Sequence, residues 1–316
     1  MVLRSIAGRF LQAIPVFLAI SVLVFFISHL GGGDAVTNAL AGILPQDALD
    51  AIRREYGLDQ PVHVQYLRWL QHLFAGDWGL SLSLRVPVYD VLGKAFGNTL
   101  LLTVAAVLIC LVAGVLVGVV AGLKRGSLVD GLTMLVIQLG HNVPVFWSGL
   151  VLIWVFAVQL DWLPASGMYD LRGDEDLADL LRHLVLPAFS AAIVSMLILA
   201  QLVRSSVIEI VGSDYIRTYR SQGFARATLL RRHLGRNLLS PVVNITGLQI
   251  GYLLGGVIFV ENVFAWPGIG THLYNAAAGK DYPMTQAGVM LITGCYLAVN
   301  LATDVILDLL NPRLRA

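Results

Sequence analysis

Seven arginines lie between Arg204 and Arg236, in a segment that runs on to Pro241 and is wedged between two hydrophobic spans. One arginine at a bilayer centre costs roughly 2.5–3.5 kcal/mol on insertion scales, so a segment carrying seven stays out of the membrane, and the positive-inside bias assigns it to the cytoplasm. Bond-breaking chemistry is not written into these residues or any others. A nucleotide-cradling loop would need GxxxxGK[ST], yet Gly279-Lys280 is followed by Asp281, and Tyr274 stands where the first glycine belongs. There is no HExxH, no GxSxG and no pair of histidines four apart. The chain therefore lacks the means to hydrolyse ATP unaided, and its basic segment reads as a handle gripped by something inside the cell.

Polar side chains inside apolar runs form the second set, because burial against lipid is costly unless they face a cavity or a partner helix. Gln138, His141 and Asn142 precede Pro144; Asn244 and Gln249 share a later run; Asn300 and Asp304 lie in the last. These are candidates for lining a pathway, with interhelical hydrogen bonding as the competing role. Asp304 and Asp308 are also placed to pair with Arg313 or Arg315. Metal chemistry is not indicated. The acidic run Asp170 to Asp179 has no convergent ligand spacing and reads as a solvated face, while Cys110 and Cys295, far apart in apolar sequence, read as packing residues.

The elements that must position these residues follow from composition. The chain is 57% hydrophobic and 13% charged, with a mean hydropathy of +0.76, whereas soluble proteins carry about 25% charged residues. It is an integral membrane protein. Its formal net charge of +1 conceals a segregation of charge along the sequence, which fits sorting across a bilayer and not a nucleic-acid partner. A span needs about 20 apolar residues to cross about 30 Å of hydrocarbon. Six runs qualify: Phe10 to Leu30, Thr99 to Leu123, Leu128 to Leu160, Leu184 to Val203, Leu238 to Val260 and Thr285 to Leu307. Phe10 to Leu30 is too long for a signal-peptide core and reads as a retained first span. Pro144 is expected to kink the third run inside one helix. Alternation then gathers Arg4, Arg9, Lys124, Arg125, the basic segment, Arg313 and Arg315 on the cytoplasmic side, with both termini, and leaves most aspartates outside. Glycines four apart, Gly114, Gly118 and Gly122, then Gly247, Gly251 and Gly255 beside Gly256, read as faces for close helix packing, with pairing to a second membrane chain as the alternative.

Between the first two spans the chain makes a long polar excursion, from Gly31 to Gly97. Its punctuation predicts one short helix over Gln46 to Tyr56 and another over Pro61 to Phe74, closed before Gly76. In the second, Val64, Leu67, Leu70, Leu73 and Phe74 recur at helical spacing, while Arg68, Gln71 and His72 sit elsewhere on the wheel. The excursion is either a passive cap or a docking platform, with Arg68, Gln71 and Asp77 as its polar contacts.

Within the basic segment, Ser213 is expected to cap a short helix with Asp214 in its first turn, and Gly223 to end it in the left-handed conformation. A second helix is expected from Phe224 to Arg236. Plain attraction to anionic lipid, about 1 kcal/mol per basic residue, is the simpler use of such charge. The order of the residues argues for more.

Arg217-Thr218-Tyr219-Arg220-Ser221-Gln222-Gly223, then Leu229 to His233 and Arg236 to Pro241, resembles the EAA loop of binding-protein-dependent ABC transporter permeases, in the form used by dipeptide, oligopeptide and nickel importers. Arg217-Thr218-Tyr219 stands where the naming triplet would be, a departure usual in the peptide branch. Tyr56 to Pro61, Gln65 to Leu70, Gly76 to Ser81, Glu261 to Phe264, Pro267 to Gly270, Asp281 to Pro283 and Asn311 to Arg313 extend the resemblance along nearly the whole chain. It implies an all-α, six-helix type I ABC importer (MetI-like) fold in the bacterial inner membrane. The implied organisation is a first transmembrane helix over 1–30, an outer insert over 31–97, a transmembrane domain over 98–310 with its coupling loop at 205–237, and a cytoplasmic tail over 311–316. It further implies a second homologous permease, an external solute-binding protein and two ATPase subunits that carry ATP and magnesium and contact Arg217 to Phe224. The cargo implied is a dipeptide or short oligopeptide, with nickel, glutathione, opines or haem as alternatives. An intramembrane enzyme is disfavoured because His141 and Asp304 have no recognisable partner set, and a self-contained secondary transporter because internal repeats are not evident.

Overall fold

The computed structural model describes residues 2–30, 45–47, 59–170, 176–223 and 234–310. The apolar runs fold as helices because only a helix satisfies its own backbone without water. In chain order these are α1 (Val2–Leu30), α2 (Val62–Ala75), α3 (Val88–Leu123), α4 (Leu128–His141), α5 (Val145–Leu152) continued by wider π-helical turns over Ile153–Gln159, α6 (Leu177–Gly212), α7 (Asp214–Ser221), α8 (Gly235–Val263), α9 (Ile269–Ala278) and α10 (Tyr282–Leu310). Among the described residues, five helices are long and apolar enough to cross a membrane: α1, α3, α6, α8 and α10. Two of them outrun their apolar stretches, since α3 and α6 each have 36 residues, a length of about 54 Å. The expected helix over Gln46 to Tyr56 and the one from Phe224 to Arg236 lie largely outside the described residues.

The third run corrects an expectation. Pro144 does not kink one helix; α4 and the α5 segment are separate and meet at 109°. Pro144 lacks an N–H and disfavours helical backbone at Val143, so α4 stops. Its last carbonyls are satisfied locally, because the Asn142 side-chain amide donates to Gln138 O at 2.9 Å and its backbone N–H to Leu139 O. Pro144 itself is extended (ψ 137) and starts the next helix, its carbonyl accepting from Trp147 N and Ser148 N. Two short pieces survive because each leans on neighbours: Gly140 approaches Leu197, and Gly149 sits against Ser190 and Phe264.

Two compact units form, one from Met1–Ile6, Leu101–Trp266 and Ala298–Ala316, the other from Ala7–Leu100 and Pro267–Leu297. In the first, α3 packs along α6 through its small residues. A Cβ on Gly118 would lie 2.6 Å from Ala200 O, and one on Gly122 2.8 Å from Val207 Cβ. The expected packing face is therefore met at Gly114, Gly118 and Gly122, and again at Gly247, where Thr303 of α10 fills the space of a side chain. At Gly255 and Gly256 a Cβ would meet nothing within 4 Å among the described residues of this chain. Around these contacts Leu102, Ala106, Leu199, Val203, Leu253 and Trp266 form the buried core.

In the second unit α2 lies on α1. Tyr66 and Trp69 stack around Phe25, Phe74 meets Phe17, and the Tyr66 hydroxyl is 2.8 Å from Ser21 Oγ. The expected stripe is met in part: Phe74 touches Phe17 and Val64, Leu70 and Leu73 are half-buried, Tyr66 and Trp69 widen the contact, and Leu67 stays exposed. Gly76, left-handed at φ 81, closes the helix. A further core joins Val88 and Leu92 of α3 to Ile269, Leu273, Met284 and Ala287.

Candidate functional site

The segment that carries the resemblance to a coupling loop folds as α7, joined to the end of α6 by Ser213 alone. Ser213 is extended (ψ 151), so the chain turns there instead of continuing as one helix. Its hydroxyl, expected to cap α7, donates backward to Ile210 O at 2.6 Å and closes α6 instead; its carbonyl starts α7 by accepting from Arg217 N. Asp214 occupies the first turn, where its charge suits the helix dipole. Ile216 is buried and Tyr219 half-buried, which seats the helix, whereas Arg217, Thr218, Ser221, Gln222 and Gly223 are exposed. Arg220 lies on α7, and Phe224 is outside the described residues. Thr218 and Ser221 hydroxyls donate to carbonyls one turn back, and the Arg217 guanidinium stands 3.6 Å from Asp214 with both largely in solvent. Gly223 ends the turn at φ 83, a left-handed conformation that favours glycine, and among the described residues a Cβ there would meet nothing within 4 Å. What this arrangement offers is a short, exposed helix presented from a membrane-spanning one.

Behind it stands a pair that the residue order did not announce. Asp130, in the first turn of α4, receives Arg204 of α6 through Nε at 2.5 Å and Nη2 at 2.9 Å, and also the Gly126 N–H at 2.9 Å. Asp130 is 5% exposed. Of the seven arginines, Arg204 is thus half-buried and tied to Asp130.

The candidates for a pathway are not brought together as one site. Asn142 is occupied as a helix cap, with Gln138 and His141 exposed beside it at the end of α4. Asn244 lines a cleft of about 360 Å³ with Ser206, Ser240, Pro241 and Leu307, between α6, α8 and α10. Gln249, farther along α8, has a buried Oε1 with no hydrogen-bond partner, which is the one polar atom in this set left wanting a ligand or a partner helix. Asn300 is half-buried one turn before Thr303, where Gly247 brings α8 and α10 together.

In the second unit Arg68 and Gln71 are exposed on α2. Asp77 is exposed too, its carboxylate 2.9 Å from His72 Nδ1 and accepting the Gly79 N–H at 3.2 Å, and the hydrogen bond from His72 holds it below the usual aspartate range. A buried site was missed. Asp281, 0% exposed, accepts from Ser81 Oγ at 2.5 Å, Ser83 Oγ at 2.7 Å and Ser83 N at 3.1 Å, and its other oxygen caps α10 at Met284 N. Burial pushes this carboxyl up, but the hydrogen bonds from Ser81 and Ser83 outweigh it and leave it below the ordinary value. The loop that follows Asp77 is thereby fastened to the head of α10. Among the described residues no three His, Cys, Asp or Glu side chains converge as a metal site.

Comparison with known proteins gives the chain's family and fold. The family model described as binding-protein-dependent transport system inner membrane component matches residues 114–316, and its N-terminal counterpart matches residues 2–104. The di/tripeptide transport system permease protein DppB of Pseudomonas aeruginosa (strain UCBPP-PA14) is 37% identical over 333 residues, covering 99% of each chain. The dipeptide transport system permease protein DppB of Escherichia coli (strain K12) is 34% identical over 99% of each. The glutathione transport system permease protein GsiC of Salmonella paratyphi A is 35% identical over 99% of each. Among solved structures, the inward-facing MetNI methionine ABC transporter matches with a TM-score of 0.57 at 18% identity, over 70% of this chain and 96% of the other. That likeness speaks to the fold, which is the type I importer fold.

Proposed function

We propose, for a chain that belongs to the family of binding-protein-dependent transport system inner membrane components, that it moves dipeptides or short oligopeptides inward across the bacterial inner membrane. The chain is a permease component of an ABC importer. In our reading it pairs with a second homologous permease to form the pathway. Two ATPase subunits, holding ATP and magnesium, grip α7 from the cytoplasm, where both termini also lie. An external solute-binding protein delivers the cargo to the outer insert, around Arg68, Gln71 and Asp77. The observation that carries this reading is α7 itself, an exposed helix closed by a left-handed Gly223 and set between two membrane-spanning helices.

The mechanism is rigid-body. ATP binding draws the two motor subunits together, the motion enters through α7 and α6, and the bundle passes between inward-open and outward-open states. No bond of the cargo breaks. Gln249, Asn244 and Asn300 are the polar groups set along α8 and α10 to meet a peptide backbone in transit.

The test is reconstitution. The purified chain alone should neither hydrolyse ATP nor take up labelled dipeptide, and both activities should arise when the second permease, the ATPases and the binding protein are added. ATP turnover by the isolated chain, or uptake independent of ATP, would overturn the reading. The GsiC relative supports a second cargo, the tripeptide glutathione; competition between unlabelled glutathione and labelled dipeptide in the same vesicles decides between them.

A further inference from the structure

We infer that Asp130 and Arg204 are positioning residues for energy coupling: their ion pair is the joint that makes α4 and the turn before it move as one body with α6. This rests on the reading that α7 is where an ATPase acts, because α7 follows α6 directly and Arg204 lies ten residues before Asp214, about 15 Å along the helix.

Three features converge on one stretch of α6. The first is the pair, in which both guanidinium nitrogens that face Asp130 are engaged, at 2.5 and 2.9 Å. A fork meeting two carboxylate oxygens fixes orientation as well as distance, which a single contact does not. The second is the turn from Lys124 to Ser127. Its Gly126, left-handed at φ 78, points its N–H at the same carboxylate, and Ser127 caps α4 by accepting the Asp130 N–H at 3.4 Å. The third is the end of α3, where a Cβ on Gly122 would lie 2.8 Å from Val207 Cβ and 3.0 Å from Arg204 O. The Asp130 carboxylate is thus the point through which α6 holds both the α3–α4 turn and the start of α4. A rotation of α6 delivered by α7 reaches α4, and with it the break at Pro144, through apolar contacts such as Gly140 on Leu197 as well as through this fork, and the fork is the contact that fixes orientation.

The experiment uses the fully assembled transporter in vesicles and reads peptide imported per ATP hydrolysed. Asp130→Asn keeps the shape and removes the charge. It should lower that ratio about tenfold, within the range of coupling between linked sites, while the complex still assembles and hydrolyses ATP. Arg204→Lys keeps the charge and loses the fork, and should give a smaller fall. If Asp130→Asn fails to assemble, Arg204→Lys and Asp130→Glu carry the test. A second readout does not depend on the cargo: spin labels at 125 and 209 should keep one distance between nucleotide-free and ATP-bound wild type and should separate into two in Asp130→Asn. A wild-type ratio in these variants, or a loss that tracks assembly alone, would overturn the inference. Absence of peptide uptake by the wild-type complex would instead count against the proposed cargo, and the label distances would still decide the joint.

Discussion

Two aspartates of this chain, one in each compact unit, are withdrawn from solvent and are held in different ways. Asp281 is met only by neutral donors, the Ser81 and Ser83 hydroxyls and amide groups. Asp130 is met by the permanently charged fork of Arg204 across two helices. Hydroxyls rotate to follow a carboxylate, so the Asp281 clamp tolerates small displacements and simply keeps a loop folded down. A guanidinium fork has one good geometry, so the Asp130 joint transmits orientation. The difference teaches that buried carboxylates in one chain can act as a latch or as a linkage, according to the partner's freedom to follow.

Breaking each one should show this, and the larger loss belongs to Asp130. Asp130→Ala leaves the Arg204 guanidinium facing its site with no counter-charge, which is the costly way to break such a pair. We expect the largest fall in detergent melting temperature of any variant considered, with much of it recovered in Asp130→Leu/Arg204→Met, where two apolar side chains replace the pair. Recovered stability without recovered import would separate the joint from mere packing.

Asp281→Ala should cost about 1–3 kcal/mol, the scale of buried donors left without an acceptor. Ser81→Ala should cost about 1 kcal/mol, because Ser83 still donates twice. Proteolysis of the 76–87 loop reads both. Acid sharpens the contrast. The Asp281 carboxyl is held below its ordinary value of 3.8, so its stabilisation is present above that pH and is lost as pH falls through the lower folded value. Loop protection in wild type should therefore persist down to the ordinary value and collapse only below it, while Asp281→Asn should show a weaker protection with no such step.

The smallest effect on stability is expected at Arg217. It and Asp214 are 74% and 97% exposed at 3.6 Å, a geometry worth at most a few tenths of a kcal/mol. Arg217→Ala should melt like wild type and still lose import, which marks a residue kept for a partner.

The pattern of what could be read from the residues has the same physical basis. Span positions, the left-handed Gly223, the helix ending at Gly76 and the packing glycines of α3 are local: each depends on periodicity or on one residue's φ. The break at Pro144 was half legible, since proline marks the place but the neighbours that hold two short pieces, Leu197, Ser190 and Phe264, lie far off in sequence. Asp281 and its serines are about 200 residues apart and Asp130 and Arg204 are 74 apart. No spacing rule reaches such pairs. Ser213 misled for a subtler reason: a serine between two helices can serve either end, and here it closes the first.

If α7 is the grip for an ATP-hydrolysing subunit, Gly223 is the residue whose replacement should show it. A β-branched residue at φ 83 carries a strain of roughly 1–3 kcal/mol in this exposed turn, and among the described residues no neighbour stands within 4 Å of its Cβ. Copurification of the ATPase subunits and dipeptide uptake should be measured together in Gly223→Val. Gly223→Val should insert and pair with the second permease but lose ATPase association and uptake in parallel, with Gly223→Asn, which tolerates this conformation better, falling between. Full retention of both in Gly223→Val would contradict that role for α7 and reduce the basic segment to a lipid-facing patch of charge.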